Sequence, residues 1–208
     1  MTNLKWGAAL VIVVAVALLI DTMHEPISRQ VAAVADKVAA RDPIAARVPI
    51  LVVGDSHQVE TGKHLERRLG DRVRVFARRG RPSAEGVRVL RKRMRERYGV
   101  VVFDLGSNDY RVGPDGLARS LRRARRLITP RRCMVIATLP PERRVRLDDV
   151  IRRFAERRSV VLFDWQRVVK RRAELLSEDR LHATPYGYRV RARKLIRVIR
   201  GCPRPKLP

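Results

Sequence analysis

Cysteine is scarce in this sequence of 208 residues, which contains only Cys133 and Cys202. Two cysteines cannot build the dense disulfide framework that stabilises many small secreted domains. Cys133 opens the apolar run CMVIATL, which is typical of a buried strand, whereas Cys202 lies in a proline-rich tail. We therefore expect no disulfide bond.

Aromatic and acidic residues are also few. Aromatics make up 5% of the chain, and 21 acidic residues stand against 47 lysines and arginines, which gives a formal net charge of +26. Such a charge attracts nucleic acid, anionic lipid or an acidic polymer, but it fits equally well with ordinary helices whose solvent faces carry arginine. Because the sequence lacks interleaved aromatics for base stacking, we expect no specific nucleic-acid partner.

Motifs for cofactors and metals are missing as well. The chain has neither a Walker loop nor the glycine fingerprint of dinucleotide-binding folds after its first apolar run. Its histidines and cysteines lack the spacing of metal ligands. The sequence therefore predicts neither a cofactor nor a metal site.

One long apolar run is present near the N-terminus. An uncharged stretch extends from Trp6 to Ile20, slightly shorter than the roughly 18 to 20 residues that span a bilayer comfortably. We predict a membrane anchor over residues 1–24; the alternative is a signal peptide, but no small-x-small cleavage site follows. Lys5 precedes the run, so the N-terminus is expected inside and the rest of the chain outside the cytoplasm.

The remainder of the chain divides into a connector, a domain and a tail. Residues 25–47 form the predicted helical connector, because apolar residues recur there at helical spacing. We predict a single domain over residues 48–200 and a disordered, proline-rich tail over residues 201–208.

Within the predicted domain, short β-branched runs alternate with basic stretches that carry one apolar stripe. Each such stretch is typical of a helix that covers one face of a sheet. Continuous apolar strands separated by helices indicate a parallel sheet buried on both faces. We therefore predict a three-layer α/β/α sandwich around a five-stranded sheet, with strands at 50–53, 73–76, 100–105, 134–138 and 160–163.

Polar clusters follow the predicted strands and meet at one edge of the sheet. Ligands bind beyond the carboxyl ends of the strands in open parallel sheets. Ser56, in GDSH after the first strand, lies near a helix start, where free amides favour developing negative charge. His182 is a better base for it than the adjacent His57, and Asp179 lies three residues earlier, where it can orient the imidazole.

An acyl-transfer site also needs donors for an oxyanion. The candidates are the backbone amides of Ser56 and Gly80 and the side chain of Asn108. We interpret Asp109 as a structural residue that caps the helix after it.

These residues together resemble a known family. The blocks GDSH, RRG, GSND and DRLH, which hold Ser56, Gly80, Asn108 and His182, resemble the four blocks of the SGNH (GDSL-like) hydrolase superfamily. The resemblance covers residues 48–200, and Gly86 is a second candidate for the glycine of the second block. It implies a flavodoxin-like fold and activity as an esterase, lipase, deacetylase or acyltransferase.

Further segments narrow the resemblance. The strands VVFDLGSND and VVLFDW and the ending DRLHATPYGY are most similar to SGNH domains attached to membrane acyltransferases that O-acetylate cell-wall and surface polysaccharides. His57 departs from the leucine that most members carry after the serine. The large multispan module is also missing, so an acyl donor would come from a separate partner acyltransferase.

Three arginines flank the predicted site, namely Arg79, Arg81 and Arg111. One hypothesis is that they select an anionic substrate, such as a carboxylated or phosphorylated glycan. The alternative is that they are solvated loop charges.

The prediction is a membrane-anchored, extracytoplasmic serine esterase with the triad Ser56, Asp179 and His182, acting on O-acyl groups, such as O-acetyl groups, of cell-envelope glycans. Two alternatives use the same residues: an O-acyltransferase partner domain, and a lysophospholipase at the membrane surface. A third, from another class, is an inactive SGNH-fold module that binds an anionic polymer.

Overall fold

The computed structural model describes residues 49–96, 98–140, 145–158 and 160–203, and a parallel sheet lies at their centre. The strand order is 2-1-3-4-5, the order of flavodoxin-like folds. Each predicted strand end lies within one residue of the observed one. The strands are β1 (Ile50–Gly54), β2 (Val73–Ala77), β3 (Val100–Asp104), β4 (Cys133–Ala137) and β5 (Val161–Phe163).

Helices cover both faces of this sheet. The described residues contain α1 (Ser56–Leu69), α2 (Ser83–Arg93), α3 (Gly113–Leu127), α4 (Val145–Arg158), α5 (Trp165–Arg171) and α6 (Pro185–Arg200). Helices α1 and α6 pack against each other on one face, together with α5. Helices α2, α3 and α4 pack side by side on the other face. The predicted three-layer α/β sandwich is therefore confirmed.

Strand β1 explains why both faces need a helical layer. Ile50 and Val52 point into the core under α1 and α6, and Leu51 and Val53 point into the core under α2 and α3. Each of the four side chains is at most 1% exposed. Burial of one such side chain stabilises the fold by about 1.5–3 kcal/mol, so neither layer can be removed without exposing a row of them.

A disulfide bond joins Cys133 to Cys202, contrary to the sequence-based expectation. Helix α6 begins at the edge of the sheet where the strands end and runs back to the opposite edge. Its last turn therefore brings Cys202 beside Cys133, the first residue of β4. Both cysteines are buried, at 7% and 2% exposure.

The predicted N-terminal anchor, connector and C-terminal tail can be compared with the structure only in part. The anchor over 1–24 and the connector over 25–47 lie outside the described residues. In the part of the chain that is described, no helix combines the length and the apolar character needed to cross a bilayer. The predicted disordered tail began at residue 201, yet Cys202 is fixed by its disulfide; residues 204–208 lie outside the described residues.

We predict that the disulfide stabilises the domain by about 2–4 kcal/mol, because it closes a long loop and so restricts the unfolded chain. Urea unfolding of the double variant Cys133→Ser/Cys202→Ser should show this loss in the free energy of unfolding. Wild-type protein unfolded with a thiol reductant should show the same loss, and the reductant should leave the double variant unchanged. Equal stability of all the samples would contradict the prediction.

Candidate active site

Ser56 is the first residue of α1, directly after the turn that ends β1. Asp55 caps this helix, because its carboxylate accepts a hydrogen bond from the amide of His57 at 3.0 Å. The turn requires glycine at position 54, since a Cβ atom there would lie 2.4 Å from the Cβ of Gln58. This tight turn holds the Ser56 hydroxyl at the carboxyl edge of the sheet.

His182 and Asp179 meet Ser56 at that edge. The Ser56 Oγ lies 3.0 Å from His182 Nε2, and His182 Nδ1 lies 2.5 Å from Asp179 Oδ2. Asp179 Oδ1 also accepts hydrogen bonds from the backbone amides of Leu181, at 3.0 Å, and His182, at 2.9 Å. The carboxylate thus closes a turn around its own loop and orients the imidazole at the same time.

The charge on Asp179 fixes the roles of the two ring nitrogens. Slight burial opposes ionisation, but the hydrogen bonds from the His182 ring and from the His182 and Leu181 amides lower the pKa of Asp179 to about 2. The carboxylate therefore stays ionised at neutral pH and accepts the Nδ1–H. Nε2 is then the unprotonated nitrogen, able to accept the Ser56 proton.

Two of the three predicted oxyanion donors lie on neighbouring loops. The Asn108 side-chain amide donates to Asp55 Oδ2 at 3.3 Å, to the Arg81 carbonyl at 3.3 Å and to Ser107 Oγ at 3.2 Å. Gly80 lies one residue before Arg81, and its φ of +69° is a conformation that favours glycine. The contact between Asn108 and Arg81 therefore links the loop after β3 to the loop after β2.

Arg81 has a structural role in place of the predicted contact with substrate. Its guanidinium is buried and donates to the carbonyls of Gly54, at 3.0 Å, and Phe76, and it pairs with Glu85. The Gly54 carbonyl also accepts from the Arg78 amide at 3.3 Å. These contacts attach the loop that carries Gly80 to the end of β1.

Gly86 and Asp109 both have structural roles. Gly86 lies in α2, where an added Cβ would come within 2.0 Å of Leu105, so its role is to let this helix pack closely on the sheet. Asp109 accepts from the amide of Ser83, at 3.1 and 3.2 Å, and so caps α2 and not the helix that follows it in sequence.

The other two predicted arginines lie at different places. Arg79 is exposed and pairs with Glu60 at 3.0 Å, and it lines a groove that begins at His182. Arg111 lies on the exposed loop beyond Asn108, with its guanidinium carbon 5.7 Å from the centre of the Tyr110 ring.

A buried ion pair beneath the site was not predicted. Arg191 of α6 donates to Asp104, the last residue of β3, at 2.8 Å, and their side chains are 1% and 3% exposed. Gln58 donates to the same carboxylate at 2.5 Å, and Arg191 also reaches Thr61 at 3.3 Å. Burial opposes ionisation of Asp104, but the guanidinium outweighs it and holds the pKa of this carboxyl below its usual range.

Asp55 is a second buried carboxyl next to this pair, and its pKa is shifted in the opposite direction to that of Asp104. Burial, reinforced by the nearby carboxylate of Asp104, raises the pKa of Asp55 to about 7. Its Oδ2 accepts from the Ser107 hydroxyl at 2.5 Å as well as from Asn108. Asp55 therefore orients both the helix that carries Ser56 and the side chain of Asn108.

His57 is buried immediately beside the candidate nucleophile. Its ring lies 5.5 Å from the ring of His182, and in the described part of the chain neither of its nitrogens has a hydrogen-bond partner. Burial, aided by the Arg191 guanidinium, lowers the pKa of His57 to about 3. His57 is therefore neutral at physiological pH and makes no hydrogen bond to Ser56 or His182.

The chain matches one protein family and several solved structures. The GDSL-like Lipase/Acylhydrolase family model matches residues 44–190. A comparison with curated proteins finds no match.

Three solved structures illustrate the similarity. The C-terminal catalytic domain of peptidoglycan O-acetyltransferase A (OatA) from Streptococcus pneumoniae is 13% identical, with a TM-score of 0.61 over 76% of this chain and 97% of that one. A protein from Slackia heliotrinireducens described as an SGNH hydrolase is 21% identical, with a TM-score of 0.64 over 73% and 98%. The esterase EstA from Pseudoalteromonas sp. is 14% identical, with a TM-score of 0.52 over 74% and 97%. At these identities the similarity establishes the shared fold.

We predict that His57→Leu stabilises the protein by about 1–3 kcal/mol at neutral pH, because two buried, unpartnered nitrogens are removed at similar side-chain volume. The difference in the free energy of unfolding between His57→Leu and wild type should grow as the pH falls from 6.5 to about 3. In that window the unfolded chain binds a proton at His57 that the native state does not. Wild-type stability therefore falls there by up to about 1.4 kcal/mol per pH unit through this group.

Urea unfolding of both proteins at several pH values measures this difference. His64→Leu is the matched control, because His64 is only partly buried and its removal should change the pH slope much less. A difference between wild type and His57→Leu that stays constant with pH would contradict the assignment.

Proposed function

Because the chain belongs to the GDSL-like lipase/acylhydrolase family, we propose that it is a serine-dependent acyl-ester hydrolase with Ser56 as nucleophile, His182 as base and Asp179 as its orienting carboxylate. The observation that carries the proposal is the continuous hydrogen-bonded chain of these three side chains, at 3.0 and 2.5 Å. It joins residues 126 positions apart in sequence, at the edge of the sheet where ligands bind in this fold class.

The first half of the reaction acylates Ser56. As the Ser56 oxygen bonds to the ester carbonyl carbon, its proton passes to His182 Nε2, and the carbonyl oxygen becomes an oxyanion. The proposed donors to this oxyanion are the amides of Ser56 and Gly80 and the side chain of Asn108. The bond to the alcohol then breaks, and His182 returns the proton to the departing alkoxide.

The second half releases the acyl group. Water gives a proton to His182 and attacks the acyl carbon. The second tetrahedral intermediate then collapses: the bond to the Ser56 oxygen breaks, His182 returns the proton to that oxygen, and a carboxylic acid is released. If a sugar hydroxyl takes the place of water, the same residues transfer the acyl group. O-acyl transfer with a partner acyltransferase is therefore the second candidate, and the similarity to the OatA catalytic domain is the observation that favours it.

The proposed substrate is an O-acyl, and in particular O-acetyl, ester of a cell-envelope glycan, with a lysophospholipid as the alternative. The assembled Ser56, His182 and Asp179 contacts favour an enzyme over an inactive binding module. A protein that only binds a polymer has no need of an imidazole fixed between a hydroxyl and an ionised carboxylate.

We propose that the domain lies outside the cytoplasm, attached to the membrane through residues 1–24. The disulfide supports this location, because such bonds persist mainly in oxidising compartments.

The location predicts that a C-terminal fusion to alkaline phosphatase, which is active only after export, produces phosphatase activity in cells. The same fusion lacking residues 1–24 should be inactive. High activity of the truncated fusion, or none from the full one, would contradict the proposal.

Hydrolysis of p-nitrophenyl acetate tests the catalytic assignment. We expect Ser56→Ala to lower kcat/KM by roughly 10⁴- to 10⁶-fold and Asp179→Asn by roughly 10²- to 10⁴-fold, because the second variant keeps the base but loses its orienting charge. Ser120→Ala is the matched control, since Ser120 is buried in α3 on the opposite face. Full turnover by Ser56→Ala would remove this residue from the mechanism, and product analysis with an added sugar acceptor separates hydrolysis from transfer.

A further inference from the structure

A groove of about 440 Å³ begins at His182 and extends between the exposed surfaces of α1 and α6. Its α1 wall consists of Glu60, His64 and Arg67, which lie four and three residues apart and so share one helix face. Arg79, from the loop after β2, and Arg189, from α6, complete the charged lining. We call this surface the basic groove.

The basic groove carries three arginines against one carboxylate. Arg79 pairs with Glu60, at 3.0 Å, and Glu60 also pairs with Lys63 outside the groove. Within the described part of the chain, Arg67 and Arg189 form no ion pair. Arg67 instead contacts His64 at 2.5 Å, and Arg189 lies 5.5 Å from the centre of the Tyr186 ring. Two cations are therefore available to a ligand in a concave site next to the proposed catalytic base.

The pKa of His64 reflects the positive charge around the groove. Partial burial and the nearby guanidinium groups of Arg67 and Arg189 lower its pKa from the ordinary value. A neutral imidazole flanked by arginines can donate or accept a hydrogen bond to an anion or a hydroxyl.

The groove has two different sides. Its α1 wall is charged or polar along its whole length, whereas Ala183, Pro185 and Tyr188 line the opposite side. A substrate portion that lies along the α1 wall therefore contacts charged and polar groups.

We propose that the basic groove binds the alcohol portion of the substrate, and that this portion is a hydrophilic anion, a glycan bearing carboxylate or phosphate groups, whose ester lies at the His182 end. The proposal rests on the proposed function and specifies its substrate class. It retains Arg79 from the sequence-based set and replaces Arg81 and Arg111 with Arg67 and Arg189, because Arg81 is buried and Arg111 does not line the groove.

A matched pair of esters tests this selection. The anionic 4-acetoxybenzoate and its neutral methyl ester release similar phenols, so the ratio of their kcat/KM values reports charge recognition. For the full chain in a neutral detergent, the variant Arg67→Gln/Arg79→Gln/Arg189→Gln should lower this anionic-to-neutral ratio by roughly 10-fold at physiological salt.

A second groove provides the control. Arg122, Arg153 and Arg158 line a space of about 270 Å³ between α3 and α4, on the opposite face of the sheet. Their triple replacement by glutamine removes the same net charge from the protein and should leave the ratio unchanged. Equal losses in both triple variants would overturn the proposal, because the effect would then come from the overall charge of the chain. The single variant Arg189→Gln repeats the test if the triple groove variant unfolds early on heating.

Direct binding keeps the test independent of turnover. Fluorescein-labelled tetragalacturonate and oligo(glycerol phosphate) supply the carboxylate and phosphate sources separately, and the groove variant should bind at least one of them roughly 10-fold more weakly than wild type and the control variant do. Unchanged binding of both probes would overturn the proposal. So would a groove variant that loses turnover only of lysophosphatidylglycerol, which would indicate a lipid head group.

These experiments distinguish failure of the proposed function from failure of the proposed substrate class. If neither ester is cleaved in a Ser56-dependent way but the groove still binds the anionic probes, the proposed function fails and the anion site remains. If cleavage depends on Ser56 but the groove variant changes neither the ratio nor the binding, the proposed function remains and the substrate class is wrong.

Discussion

The buried contact between Asp104 and Arg191 holds the candidate active site together. Asp104 ends the central strand β3, and Arg191 lies in α6, which follows the loop that carries His182. Removing two charges from water is unfavourable. The buried charges of Asp104 and Arg191 are therefore stabilised by their mutual contact at 2.8 Å and by the hydrogen-bond donors around them. This pair fixes α6 on the sheet, and the position of the His182 imidazole over Ser56 follows from it.

A second set of contacts orients the groups proposed to stabilise negative charge. The Asp55 carboxyl caps the helix of Ser56 and accepts from Asn108, and Asn108 in turn donates to the backbone carbonyl of Arg81. The loops after three adjacent strands are thereby joined through two side chains, those of Asp55 and Asn108. The two N–H groups of Asn108 already have protein acceptors, so one of them would exchange such an acceptor for the oxyanion when a substrate binds.

The sequence predicted the strands well, and it predicted that Ser56 and His182 lie at the same edge of the sheet, because apolar runs and the polar residues after them are local signals. It failed where a residue's role depends on a distant partner. Arg81 was considered as a substrate contact or a solvated charge, and Arg191 was not singled out, because arginine is seldom buried. Arg191 nevertheless follows Tyr188 by three positions and so lies on the apolar face of α6. Cys202 was assigned to a free tail because nothing near it in sequence indicates that α6 ends beside Cys133.

The separation of Ser56 from His182 by 126 positions has a consequence for how the protein is made. The ribosome completes the nucleophile and its helix long before it reaches α6, so a nascent chain exposes the serine without its base. An N-terminal product that ends before His182 lacks the base, and one that ends before α6 also lacks the surface against which α1 packs. A site built from the two ends of a domain therefore forms only after both ends have been synthesised, and no earlier nascent chain holds the serine together with its base.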